Sequence, residues 1–95
     1  MENKFDIGQF VPVLTLEQAR CDLVNRFHSR RKELHYSQRK LSAISGVSYG
    51  SIRRFENTGE IALSSLLRLA DVMGYLEDFE SVFSRSHIVS LKDIK

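Results

Sequence analysis

The side chains with the most chemical potential in this chain are cations crowded around one short segment. Arg53 and Arg54 lie four residues after Tyr49 and Gly50, so 49/53 and 50/54 share one side of a helix. Arg39 and Lys40 precede them, and Arg30, Arg31 and Lys32 come earlier still. A guanidinium presents a planar fork of donors that matches phosphate oxygens or the edge of guanine. The net charge of +2 conceals this concentration. Residues 20 to 54 carry nine Lys or Arg against two acids, residues 1 to 19 one Lys against three acids, and residues 55 to 95 four against seven. A basic middle between acidic ends suits a polyanion, but charge alone leaves a merely solvated surface equally open.

Other chemistries find little support. His28, His35, His87 and Cys21 have no metal-ligand spacing, so no metal and no cofactor are expected. There is no nucleophile elbow, no phosphate-cradling glycine loop and no evident acid pair, and a domain this small leaves little room for a cleft. An enzyme is not expected. A length of 95 residues with 42% hydrophobic and 27% charged residues fits a single globular domain with a modest core. One cysteine allows no internal disulfide, and neither a membrane span nor an export signal is visible. The expected location is the cytosol.

The elements that must carry the cations read as short helices. Residues 1 to 14 mix Phe5, Ile7, Phe10, Val11, Val13 and Leu14 with Gly8 and Pro12, an extended arm. Thr15 with Gln18 fits a capping box opening a helix to about Leu34, with Leu16, Ala19, Leu23, Phe27, Arg30 or Arg31, and Leu34 on one stripe. After His35-Tyr36, Ser37 caps Gln38 to Ser45, which is expected to bury Leu41 and Ile44. Gly46 ends it, Val47 occupies the turn, and Ser48 caps a helix to about Asn57 with Ile52 and Phe55 facing inward. Leu63, Leu66, Leu67, Ala70 and Met73 mark a fourth helix closed by Gly74, and Leu76, Phe79, Val82 and Phe83 a short fifth. The division is then an arm over 1–14, a five-helix all-α domain over 15–83 and a tail over 84–95, in which His87 to Val89 is β-prone.

Two short helices around a glycine turn, the second with a basic outer face, are the parts a duplex reader needs. Gln38, Leu41, Ser42, Gly46, Val47, Ser48, Ile52, Glu56 and Gly59 resemble, in register, the pattern of the phage-repressor/Cro type (Xre family) helix-turn-helix. The resemblance runs from about Leu16 to Phe83 and implies a homodimeric transcriptional regulator, a repressor in the first instance, that binds a palindromic operator in double-stranded DNA. It also implies roles. Tyr49, Gly50, Ser51, Arg53 and Arg54 would read base edges; Arg31, Ser37, Gln38, Arg39, Lys40, Ser48 and Asn57 would touch phosphates; Arg31 would pair with Glu56 beneath them. Three positions depart from the pattern or sit oddly in it. His35 stands where glycine is common, Ala62 where a serine would cap the fourth helix, and Gly50 offers no side chain to a base. Gly50 would serve close approach to DNA, or nothing.

The stretch from Gly50 to Gly74, followed by an acidic segment, is also similar to small regulators that accompany HipA-type kinase toxins. That resemblance implies an alternative, an antitoxin that holds the toxin and represses their shared promoter. Phe5 to Leu14 and His87 to Val89 could pair as strands between subunits, or be disordered. A protein-only adaptor is a further alternative.

Overall fold

The computed structural model describes residues 13–87, whose regular elements are all helices, with no strand among them. Helix α1 covers Leu16–Glu33, α2 Gln38–Ser45, α3 Tyr49–Thr58 and α4 Leu63–Met73, and a 3-10 helix covers Leu76–Ser81. Of the expected arm only Val13 and Leu14 are described, both exposed; residues 1–12 and 88–95, and with them the proposed strand pairing, lie outside the described residues.

Local chemistry sets the helix starts. Thr15, Ser37 and Ser48 each accept a hydrogen bond from the backbone N–H three residues on, at 3.0, 2.9 and 3.1 Å. These bonds satisfy donors that the first helical turn leaves without partners. The expected capping box at Thr15 is only half formed, because the Gln18 amide donates to Asp22 Oδ1 at 2.8 Å, one turn further along, and does not reach back. Ala62 opens α4 with no side-chain cap, as its methyl group dictates.

The helix ends depend on left-handed residues. Gly46 (φ 79°) closes α2 and turns the chain toward α3. At the end of α1 the same conformation falls on His35, with φ 61°. Two bonds complete that turn, from the His35 N–H to the Lys32 carbonyl at 2.9 Å and from the Tyr36 N–H to the Arg31 carbonyl at 3.1 Å. This is the Schellman arrangement, formed here with a side chain where glycine is usual.

The core lies where α1, α2, α3 and α4 meet. Phe27, Leu41, Val47, Ile52, Phe55, Leu69 and Met73 form one buried cluster, and Val24, Tyr36, Ile61, Leu66, Val72 and Tyr75 pack around it. Phe27 and Phe55 meet edge to face with ring centroids 5.1 Å apart, joining α1 to α3. Helix α2 packs on α3 and α4, and the 3-10 helix packs on α4.

Several expected core positions are corrected. Ile44 remains 42% exposed because α2 turns a narrow face inward, centred on the fully buried Leu41. In α4 the centre of the core is Leu69, which lay outside the expected stripe, whereas Leu63 is 66% exposed at the helix start. A helix this rich in leucine offers several plausible faces, and only its neighbours select one. Along α1, Leu16, Leu23 and Leu34 are exposed and the buried side chains are Phe27 and Arg31. The last segment ends as a 3-10 helix at Ser81, so Val82 and Phe83 fall beyond it and are both exposed, Phe83 completely.

His35→Gly removes the steric cost of a left-handed Cβ, about 1–2 kcal/mol, less the entropy that glycine restores to the unfolded chain. A net gain of about 0.5–1 kcal/mol in urea unfolding is the expected outcome; an unchanged or lower midpoint would show that the His35 side chain compensates the strain.

Candidate nucleic-acid interface

Helix α3 carries two opposed surfaces. Ile52 and Phe55 are buried, while Gly50, Arg53 and Arg54 are exposed and Tyr49 is half-buried at the helix start. A rotation of about 100° per residue makes this separation possible over Tyr49–Thr58, since 52 and 55 share one side and 49/53 and 50/54 the other. Among the described residues, no hydrogen bond or ion pair engages the side chains of Arg39, Lys40, Arg53 or Arg54. Their donors face outward, unspent within the fold.

Beneath this surface a buried polar cluster joins three helices. Arg31 of α1 donates from Nε to Glu56 Oε2 at 2.7 Å and from Nη2 to Glu56 Oε1 at 2.9 Å, the two-point geometry a guanidinium and a carboxylate share. Its Nη1 donates to the Tyr36 carbonyl at 2.8 Å. Gln38, the first residue of α2, donates through Nε2 to Glu56 Oε1 at 2.9 Å. His28 Nδ1 stands 3.2 Å from Glu56 Oε1 and 3.3 Å from Arg31 Nη2. When protonated, Nδ1 donates to Glu56; when bare, it accepts from Arg31, and it cannot do both at once.

The Glu56 carboxyl responds to two opposed influences. Burial by itself raises its pKa, but the hydrogen bonds from Arg31, His28 and Gln38 and the Arg31 charge outweigh it, leaving the group below its ordinary value of 4.5. Glu56 is therefore a carboxylate at neutral pH.

These contacts sort the expected site residues. Arg31 is only 6% exposed and its donors are engaged by Glu56 and Tyr36, so within the fold it braces α3 from below. Gln38 is drawn into the same cluster through its side-chain amide. Ser37 and Ser48 are caps, and the Ser48 hydroxyl also donates to Ser51 Oγ at 2.8 Å, placing Ser51 at the margin of the outer face. Arg39 and Arg53 both lie over the Tyr49 ring, at 4.1 and 5.5 Å from its centroid. Asn57 is exposed about 12 Å along the axis from Tyr49, eight residues at 1.5 Å each. At Gly50 an added Cβ would meet nothing within 4 Å, so no packing inside the chain requires a glycine there.

Two contributors escaped the sequence pattern. His28 joins the Glu56 cluster, and its i, i+3 relation to Arg31 on α1 was the available clue. Arg68 of α4 reaches the turn between α2 and α3, where an added Cβ on Gly46 would sit 3.7 Å from its Nη1. Nothing in the spacing of Arg68 signals that approach, which only the packing of α4 on α2 creates. Among the described residues no group of His, Cys, Asp or Glu is placed to hold a metal ion, and no helix is long and apolar enough to cross a membrane.

A capped helix, a left-handed glycine turn and a second helix with a locked inner face and an open cationic outer face define a DNA-binding helix-turn-helix domain. The model of the helix-turn-helix family matches residues 28–79, more than half of the chain, and the protein belongs to that family, in its Xre/Cro type. The match starts within α1 and ends in the 3-10 helix, a narrower span than Leu16 to Phe83. No curated protein and no solved structure matches the chain. The family makes this a DNA-binding regulator.

Two measurements probe the site. Arg31→Ala strands a buried Glu56 charge and is expected to cost about 3–5 kcal/mol in urea unfolding, whereas the double variant Arg31→Met, Glu56→Leu recovers most of that loss. Because the folded pKa of Glu56 is depressed, its contribution is complete above about 4.5 and disappears as pH falls through the lower folded value. Wild-type stability should therefore fall more steeply below pH 4.5 than that of the double variant; parallel curves would refute the assignment. Gly50→Ala should raise stability by about 0.5–1 kcal/mol, and a simultaneous loss of duplex affinity would show that DNA, and not the fold, requires the missing side chain.

Proposed function

We propose that this protein is a homodimeric transcriptional repressor that inserts α3 into the major groove of a palindromic operator. The observation that carries the proposal is the open face of α3, where the Arg53 and Arg54 side chains project beside Tyr49 and Gly50 with no hydrogen bond or ion pair among the described residues. Arg54 and Arg53 read base edges, with Tyr49, Gly50 and Ser51 beside them. Lys40 and Asn57 meet phosphates, and the α2 and α3 starts at Ser37-Gln38 and Ser48 present backbone N–H groups and helix dipoles to the same strands. Two-fold symmetry sets the half-sites about one helical turn, roughly 10 bp, apart. Such a protein works in the cytoplasm, where its operator is.

A second role is supported by the acidic end. Glu77, Asp78 and Glu80 are exposed beside exposed Leu76, Val82 and Phe83, a surface that repels phosphate and offers apolar area. A regulator that also holds a protein, as an antitoxin holds a HipA-type kinase toxin, would use such a surface. Co-purification with a kinase-like product of the adjacent reading frame, lost on Glu77→Lys with Leu76→Ser, tests it.

For DNA binding, Arg54→Ala should flatten base preference at one position of each half-site by about 1–3 kcal/mol. Lys40→Ala should weaken specific and random duplex alike and lower the salt slope by about one. Both are measured by titrating duplexes selected from a random library at several salt concentrations. An Arg54→Ala protein with an unchanged preference profile would overturn the base-reading role.

A further inference from the structure

Arg39 belongs to α2, and its sequence position suggests only a backbone contact. In the fold its guanidinium carbon lies 4.1 Å from the centroid of the Tyr49 ring, at the first residue of α3. Arg53, one turn further along α3, lies over the same ring at 5.5 Å. The ring's electron-rich face attracts both cations and so offsets part of their mutual repulsion. A guanidinium held over a ring face loses less rotamer freedom on binding than a solvated side chain would, and among the described residues no hydrogen bond occupies the Arg39 donors. The place also matters. In a helix-turn-helix the amino-terminal end of the second helix is the part nearest the base edges, and Tyr49 carries the Arg39 charge there.

We propose that Arg39 reads a guanine, with Tyr49 as the positioning residue that aligns Arg39 and Arg53 as a pair of guanine-directed forks. The inference rests on the operator-binding role of α3 and adds a base reader from outside that helix. Each half-site then contains a guanine specified by α2 as well as those specified by α3. Tyr49 contributes chiefly through its ring, so its hydroxyl is dispensable for this purpose.

The test is selection of duplexes from a randomised library by the full chain and by Arg39→Lys and Tyr49→Leu. Lysine keeps the charge for a phosphate but loses the two-point fork, and Arg39 is exposed, so the variant folds. Arg39→Lys should lose guanine enrichment at one half-site position by roughly tenfold or more, with affinity for random duplex changed less than about twofold. Tyr49→Leu should weaken guanine preference at the Arg39 and Arg53 positions together. Unchanged enrichment in Arg39→Lys overturns the inference even if Tyr49→Leu fails to fold. A wild-type chain that enriches no sequence overturns operator binding itself, and a wild-type chain that does so while Arg39→Lys matches it leaves operator binding intact and removes only this inference.

Discussion

The Arg31–Glu56 pair is the contact on which the placement of the binding surface depends. It joins the last turn of α1 to α3, and through Gln38 it includes the start of α2. Removing two opposite charges from water is costly, and a buried pair is not by itself a source of net stability. Here both Glu56 oxygens are filled by donors, and the remaining Arg31 nitrogen reaches the Tyr36 carbonyl, so the desolvated groups are satisfied. The value of the pair is orientational. Apolar contacts at Ile52 and Phe55 tolerate some rotation of α3, whereas a two-point bond to Glu56, adjacent to Phe55, does not. Fixing that angle fixes where Tyr49, Arg53 and Arg54 point.

Several strained or weak features surround this clamp. His35 adopts a left-handed conformation immediately after α1, and the turn it completes delivers the Tyr36 carbonyl to Arg31. Helix α4 starts without a side-chain cap, and Gly50 weakens α3 on its exposed side. At the other end of α3, Arg20 of α1 packs its aliphatic stem over Gly59, where a Cβ would collide with it, and reaches Glu60 at 3.2 Å. The turn after α3 is thus tied to α1 as well, just beyond the Glu56 clamp in the last turn of the helix.

Much of this was legible before folding. The caps Thr15, Ser37 and Ser48, the helix ends at Gly46 and Gly74, and the missing cap at Ala62 are local interactions within four residues, and their signals are equally local. The opposed faces of α3 follow from 3.6-residue periodicity with two aromatic or branched residues on one side and two arginines on the other. The failures share a cause. Ile44, Leu63 and Leu69 sit on helices whose apolar residues span more than one face, and burial there depends on which neighbour arrives. The bond from the Gln38 amide to the Glu56 carboxylate, eighteen residues away in the chain, likewise had no local signal. His28 and Arg68 had no role until α3 and the α2–α3 turn were packed beside them.

By itself the sequence determined the helical class, the boundaries of the two central helices, the concentration of positive charge in residues 20 to 54 and the outward arginines of α3. Those properties depend on residue type and on spacing within a few turns, where a single chain segment contains all the interacting groups. Tertiary structure decided which cations remain available. Arg31 is withdrawn into the fold by Glu56, while Arg39 and Arg53 come from different helices to one tyrosine ring. A charge in the sequence has no direction, and it acquires one only when long-range packing brings a carboxylate, a carbonyl or an aromatic face within reach.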